Sequence, residues 1–155
     1  MLAADVAVEV IRPQPGPQEG FLSSPADIAV FGGARGPGKS WALLIEPLRH
    51  VHIPKFSAVI FRRTYPEIMQ ARGLWQACWE LYPPLGGYAR QTSTEWIFPS
   101  GARIKFAHLQ LDTDRYAWKG AEIALLELDQ AEQFTEDQFW FLLTTAGRFV
   151  ISIFP

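Results

Sequence analysis

The sequence predicts an α/β fold in which helices cover both faces of a largely parallel sheet. Three observations predict it. Compact apolar runs of strand length recur along the 155 residues, and segments with apolar residues at helical spacing separate them. A glycine-rich loop stands directly between one of these strands and the helix that follows it. The hydrophobic share of 48% and the charged share of 19% are ordinary for a chain that buries one core.

The first half of the chain supplies two predicted strands and a helix. Residues 12–20 are rich in Pro and Gly and predict an extended lead-in. The run "DIAVFG" at 27–32 predicts a buried strand that ends at a glycine cluster. Helical spacing follows over 39–51, where Pro47 is expected to kink or end the helix. A second buried strand is predicted for "SAVIFRRT" at 57–64.

The second half of the chain continues the alternation and interrupts it once. Residues 73–82 show helical spacing and stop at two prolines. The segment at 94–109 alternates on both sides of "PSG", which predicts a β-hairpin inserted into the parallel plan. Apolar runs at 121–129 and 148–155 predict two further strands. Between them, 135–146 predicts a helix that opens with a threonine N-cap and acidic residues in its first turn.

Charge and cysteine content limit the classes of function. The net charge is −2, whereas a domain that held DNA by itself would more often be basic. A nucleic-acid role therefore requires a local patch or partner subunits. The single cysteine excludes an internal disulfide. The first ten residues lack the basic start of a signal peptide, and no apolar stretch reaches the length of a membrane span.

The loop "GARGPGKS" at 33–40 matches the pattern G-x-x-x-x-G-K-[ST] and lies between a strand and a helix. Its glycines let the backbone bend so that several N–H groups and the helix N-terminus face a phosphate. The ammonium of Lys39 would reach the β- and γ-phosphates, and the Ser40 hydroxyl would ligate Mg²⁺. The sequence therefore predicts a phosphate-binding loop.

Two other residues of the loop are unusual. Pro37 stiffens the loop at the cost of one N–H donor. Arg35 is either an arginine finger that acts on the γ-phosphate of its own site or a surface arginine on an exposed loop. The predicted nucleotide-contacting segment consists of Gly33, Ala34, Arg35, Gly36, Pro37, Gly38, Lys39, Ser40 and Trp41.

The apolar run "IALLEL" ends at Asp129, where a carboxylate would hold hydrated Mg²⁺ opposite Ser40. The alternative for Asp129 is a turn or N-cap aspartate. The next residue is Gln130, which is a hydrogen-bond donor and acceptor but not a base near neutral pH. At this position a hydrolytic phosphate-loop ATPase usually carries a glutamate that acts as the general base. Either that base is lost here, naturally or by engineering, or Glu132 replaces it. Glu127 is a weaker candidate, for which a structural or salt-bridge role is expected.

Three arginines are further candidates. Arg62 and Arg63 leave the second strand and would face a neighbouring subunit's nucleotide, contact DNA phosphate or form local salt bridges. Arg148, which follows the helix after Asp129, is a weaker candidate for sensing the γ-phosphate.

Four stretches, at 16–50, 58–68, 95–110 and 116–143, together resemble the large subunit of tailed-bacteriophage terminase. The resemblance covers most of the chain. The segments "FRRTYP" and "FPSGARI", in this order, distinguish it from phosphate-loop enzymes at large.

The resemblance implies a P-loop NTPase domain of the additional-strand, catalytic-glutamate (ASCE, RecA-like) class that uses ATP and Mg²⁺. It assigns Lys39 and Ser40 to the first motif and Asp129 to the second. Arg35 is similar to a loop arginine that some members carry. Gln18 is similar to a glutamine near the adenine site, although a plain polar residue of the lead-in is an equal alternative.

By the same resemblance, ATP hydrolysis would drive double-stranded DNA into a procapsid. The motor would act as a homo-oligomeric ring with the portal and the small terminase subunit as partners, in the cytoplasm of the infected bacterial host and away from membranes. Residues 1–20 would be the lead-in and 21–155 a partial, C-terminally truncated ATPase domain, with the family's later motifs and nuclease domain absent. The alternative is a nucleotide-binding module without turnover, because Gln130 stands where the family has its catalytic glutamate.

Overall fold

The computed structural model describes residues 11–33 and 38–153. Within these ranges the strands form one seven-stranded sheet. The strands are β1 (Ile28–Phe31), β2 (Ser57–Arg62), β3 (Tyr88–Arg90), β4 (Glu95–Ile97), β5 (Arg103–His108), β6 (Ile123–Leu128) and β7 (Ala146–Ser152). The α-helices are α1 (Pro17–Leu22), α2 (Gly38–Ile45), α3 (Tyr65–Met69), α4 (Leu74–Leu81) and α5 (Glu136–Leu143).

The strand order is β1-β7-β6-β2-β5-β4-β3, and every neighbouring pair from β1 to β5 is parallel. The predicted α/β class with a largely parallel sheet is confirmed. The hairpin of β4 and β5 is antiparallel as predicted, and β3 extends it by a strand that the sequence did not reveal. Strand β7 lies between β1 and β6, so the glycine-rich loop and Asp129 follow strands that are not neighbours.

Two apolar layers hold the sheet between helices. Leu125 of β6 belongs to the cluster that packs under α2 and α4, whereas Leu126 belongs to the cluster under α5. Both side chains are almost completely buried because strand residues alternate between the two faces. Burial of a side chain of this size contributes about 1.5–3 kcal/mol. The two clusters hold the sheet between its helical layers. They thereby also fix the position of the edge at which the parallel strands end.

The N-terminal segment differs from its prediction. Residues 12–20 were expected to be extended, but α1 covers Pro17–Leu22. Pro17 occupies the first turn, where its missing N–H costs nothing, and Glu19 places a negative charge near the helix N-terminus. Helix α1 therefore spans the predicted boundary at residue 20, and the division into 1–20 and 21–155 stays a prediction.

The structure modifies one further prediction and confirms another. Strand β1 was expected to be buried, yet Ile28 and Val30 are 50% and 55% exposed. They lie on the α5 side of a strand that pairs only with β7 within the described residues, so that face is incompletely covered. Pro47 acts as expected, because α2 ends at Ile45 and a 3₁₀ helix continues over Glu46–His50.

Helix α5 begins as predicted. The Thr135 side chain accepts a hydrogen bond from the backbone N–H of Gln138 over 3.2 Å, which satisfies a donor in the first turn. The Gln138 side chain in turn accepts from the Thr135 backbone N–H, forming a capping box.

Candidate functional site

The candidate site lies at the carboxyl ends of the parallel strands. Gly33 follows β1, Asp129 follows β6, and Arg62 and Ser152 end β2 and β7. The pairs Phe61–Leu128 and Leu128–Ile151 are in register, so the residues one position further on stand side by side. Parallel strands bring their carboxyl ends to one edge, which is the usual ligand edge of an open α/β sheet.

Lys39 occupies the first turn of α2 and is 5% exposed. Its ammonium donates to the carbonyl of Gly33 and, over 3.3 Å, to the carbonyl of Ile153. Gly33 has a φ of 141°, a conformation that L side chains rarely adopt, and the chain bends there after β1. The lysine therefore links the first glycine of the loop to the end of β7.

Gly38 is the first residue of α2, whose N-terminus favours anions. The four loop residues before it, Ala34, Arg35, Gly36 and Pro37, lie outside the described residues. Their contacts with nucleotide, including the predicted finger role of Arg35, stay predictions.

Asp129 is fully buried, and each of its carboxylate oxygens has a partner. Nη1 of Arg62 donates to Oδ2 over 2.6 Å, and the Ser152 hydroxyl donates to Oδ1 over 2.6 Å. The Ser152 oxygen also accepts the backbone N–H of Gln130 over 3.2 Å. A cation and a hydroxyl thus offset the desolvation of the carboxylate and hold its orientation.

A cleft of about 290 Å³ opens beside Asp129. It brings together four predicted residues, Ser40, Trp41, Asp129 and Gln130. Hydroxyl and carboxylate oxygens are the ligand types that Mg²⁺ prefers, so the donor set fits this ion. Arg62, Glu67 and Arg72 also line the cleft and contribute charges of both signs.

Gln130 has φ 55° and ψ 59°, in the left-handed region. For a residue other than glycine this backbone conformation costs on the order of 1–2 kcal/mol, which the surrounding contacts must offset. Oε1 of Gln130 accepts a hydrogen bond from Nε2 of Gln133 over 2.7 Å. The side chain lines the cleft, and its amide does not take up a proton near neutral pH. Its correspondence to a catalytic position stays a prediction.

The two carboxylates considered as replacements differ in position. Glu132 lies in the short 3₁₀ helix Ala131–Gln133, is exposed and does not line the cleft of Asp129. Glu127 is fully buried in β6, and neither of its carboxylate oxygens has a hydrogen-bond partner in the described part of the chain. Burial raises the pKa of Glu127 well above its usual range, and the carboxylates of Glu46 and Asp129 raise it further. Of the two roles expected for Glu127, the described residues form no salt bridge with it, and a structural role stays a prediction.

Gln18 is buried in α1 and connects this helix to the glycine loop. Its Nε2 donates to the carbonyl of Gly38 over 2.7 Å, and its Oε1 accepts the backbone N–H of Gln14. Both ends of the amide are thus engaged beside the N-terminus of α2. A contact with adenine stays a prediction.

The other two candidate arginines, Arg63 and Arg148, do not line this cleft. Arg63 donates to Oε1 of Gln138 over 2.5 Å, on the side of α5. Arg148 pairs with Glu46 at 3.2 Å and donates to the carbonyl of Ser24 over 2.9 Å. It lies near the amino end of β7, opposite the ligand edge, so a role in sensing the γ-phosphate is not supported.

The local salt bridge expected as one role of Arg62 is confirmed, and its partner is Asp129. The second partner of Asp129, Ser152, was not predicted from the sequence. The polar residue at the end of the run "FVIS" was the available indication, because parallel strands end at a common edge.

The fold and the site define the class of the protein, an α/β domain of the P-loop NTPase type in which one strand separates the loop strand from the Asp129 strand. The family model of the terminase large subunit, T4likevirus-type, N-terminal, matches residues 30–146. The chain belongs to this family, which confirms the resemblance drawn from its sequence.

A solved structure supports the fold. The chain is similar to the large terminase ATPase domain of Thermus phage P74-26, with a TM-score of 0.64 over 92% of this chain. The sequence identity is 15%, and the chain spans 64% of that relative's length. No curated protein sequence matches the chain. No helix within 11–33 and 38–153 is long and apolar enough to cross a membrane.

Proposed function

We propose that this chain is the ATP-binding motor domain of a phage terminase large subunit, which couples ATP to the packaging of double-stranded DNA. The observation that carries the proposal is that Ser40, Asp129 and Gln130 line one cleft at the ligand edge of the sheet. A phosphate-binding loop alone would be compatible with any class of nucleotide-binding protein. The loop and this cleft together, in a member of the terminase family, favour the packaging motor.

Each residue has a distinct task in the proposed site. The loop amides of residues 33–38 and the ammonium of Lys39 bind the phosphates, and Arg35 adds positive charge near the γ-phosphate. Ser40 and, through water, Asp129 would hold Mg²⁺, and the ion would neutralise phosphate charge. Trp41 lies beside Ser40 and lines the same cleft.

Gln130 limits hydrolysis. A carboxylate at this position would orient the attacking water and accept its proton, whereas the amide of Gln130 only orients the water. Loss of a general base lowers the rate by about 10²–10⁴-fold. Nucleotide binding persists because it depends on Lys39, Ser40 and Asp129.

The partners follow from the family. Double-stranded DNA, the portal and the small terminase subunit bind the full-length motor, which forms a homo-oligomeric ring in the cytoplasm of the infected bacterium. Because the net charge of this chain is −2, DNA contacts depend on local basic groups or on neighbouring subunits.

A second candidate is a nucleotide-binding module without turnover. The amide at position 130 favours it, as does the exposed position of Glu132 outside the cleft. Such a module would hold nucleotide and release it unchanged.

Steady-state ATPase rates with and without double-stranded DNA separate the two candidates. The chain is compared with Gln130→Glu and Glu132→Ala. A rate that rises at least about tenfold in Gln130→Glu supports a motor with a missing base. Turnover of the parent that disappears in Glu132→Ala shows a relocated base. If all three proteins bind ATP and none hydrolyses it, the binding module is the correct function.

A further inference from the structure

Arg62 and Asp129 form a buried ion pair at the mouth of the candidate site. The side chain of Arg62 is 7% exposed and that of Asp129 is fully buried, with 2.6 Å between Nη1 and Oδ2. Withdrawal of both charges from water is costly, so the pair is stable only while each charge keeps a partner of opposite sign. Any ion that takes Asp129 as its partner must therefore leave Arg62 with another anion.

The proposed site supplies both partners for such an exchange. Mg²⁺ held by Ser40 and, through water, by Asp129 would compete with Arg62 for the carboxylate. The triphosphate that accompanies the ion would offer a terminal phosphate to Arg62, which lines the same cleft as Ser40. Exchange of Arg62–Asp129 for Mg²⁺–Asp129 and Arg62–phosphate leaves no buried charge without a counter-charge.

Arg62 also has an unsatisfied hydrogen-bond donor. Its Nε is buried and has no hydrogen-bond partner within the described residues. A guanidinium presents donors in a planar fork that suits two oxygens of a phosphate. An orphaned buried donor is expensive, and a phosphate oxygen would satisfy it.

We infer that Arg62 is a ligand of the terminal phosphate of the nucleotide and that it leaves Asp129 when magnesium nucleotide binds. This inference rests on the proposed ATP site. In the nucleotide-free chain Arg62 orients Asp129, and in the loaded chain it distinguishes a triphosphate from a diphosphate. Arg63 does not share this task, because it donates to Gln138 on the side of α5.

The test measures affinity for a non-hydrolysable ATP analogue and for ADP, each with saturating Mg²⁺, by isothermal titration calorimetry. In Arg62→Gln the preference for the triphosphate should fall by about tenfold or more, since one charge-assisted contact is lost. The affinity for ADP should not fall, because ADP lacks the phosphate that Arg62 contacts and its Mg²⁺ no longer competes with Arg62 for Asp129. Arg63→Gln, which removes the same charge next to it, should leave both affinities unchanged.

An unchanged preference in folded Arg62→Gln, or equal losses for both nucleotides, overturns the inference and assigns Arg62 to the support of Asp129 alone. If Arg62→Gln does not fold, Arg62→Lys decides, because it keeps the charge beside Asp129 and loses the fork. Its preference for the triphosphate should then fall severalfold, and an unchanged preference overturns the inference. Failure of the parent chain to bind either nucleotide refutes the proposed function itself, a different result from binding without this preference.

Discussion

Ser152 and Asp129 end neighbouring parallel strands, and the Ser152 hydroxyl donates to Oδ1 of Asp129 over 2.6 Å. The same hydroxyl oxygen accepts the backbone N–H of Gln130. Ser152 thus orients the carboxylate proposed to hold Mg²⁺ and anchors the left-handed turn that follows it.

Replacement of Ser152 by Ala should lower the free energy of unfolding by about 1.5–3 kcal/mol, the usual cost of losing a hydrogen bond to a buried charge. Urea denaturation measures the change. Ser23→Ala is the control, since its hydroxyl makes only an exposed hydrogen bond to Gly20. If Ser152→Ala is as stable as the parent, Arg62 alone is sufficient to hold Asp129.

Replacement of Lys39 by Ala should abolish measurable binding of a fluorescent ATP analogue, because the loop loses its charged phosphate ligand. Lys55→Ala is the matched control: Lys55 is exposed and precedes the amino end of β2, opposite the ligand edge. Equal affinity of the two variants would contradict the assignment of 33–40 to phosphate.

Glu127 should make the chain less stable as the pH rises. Its pKa is raised in the fold, so the folded state binds the proton more tightly than the unfolded state. The resulting stability is complete below the ordinary value of 4.5 and is lost progressively as pH rises above it. One proton changes the free energy of unfolding by up to about 1.4 kcal/mol per pH unit.

Urea denaturation of Glu127→Gln between pH 4.5 and 8 tests this expectation. The Gln variant should lose the part of the pH slope that comes from this carboxyl, because it keeps the shape of the side chain without the titrating proton. Glu122→Gln is the control, because Glu122 is exposed and lies directly before β6. This variant should keep the pH slope of the parent. Identical slopes in parent and Glu127→Gln would show that Glu127 is ionised in the folded chain.

Gln18 has two candidate roles, contact with adenine and support of Gly38, and a binding assay distinguishes them. If its amide contacts adenine, Gln18→Ala should lose the preference for ATP over GTP, because the hydrogen bonds that recognise the base disappear. If the amide only fixes Gly38 through its 2.7 Å hydrogen bond, ATP and GTP affinities should fall together. We expect the second result, because both ends of the amide are already engaged in hydrogen bonds, and competition titration of the folded variant and the parent measures it.

The order of strands and helices was predictable because it depends on local patterns. Apolar runs, helical spacing and the turn at "PSG" predicted six of the strands and three of the helices with small errors at their ends. The short elements α3 and β3 were missed because five and three residues do not show a full period. The lead-in became helical because Pro17 suits a first turn as well as a bend.

The exposure of β1 and the isolation of Glu127 were not predictable in the same way. An apolar run has the same sequence pattern whether its strand lies at the edge or in the middle of a sheet. Only the strand order shows that β1, among the described strands, pairs with β7 alone. Several basic residues elsewhere in the sequence are equally possible partners of Glu127. In the structure Arg148 pairs with Glu46 instead, and Glu127 has no hydrogen-bond partner among the described residues.

By itself the amino-acid sequence determined the class of fold, the glycine loop with Lys39 and Ser40, and the amide of Gln130 next to Asp129. These properties depend on residue type and on spacing along the chain. Only the tertiary structure decided which groups surround Asp129, because Arg62 and Ser152 lie 67 and 23 positions away in sequence. The physical reason is the strand order: β2, β6 and β7 are adjacent in the sheet, and their parallel register brings three distant polar ends into one row.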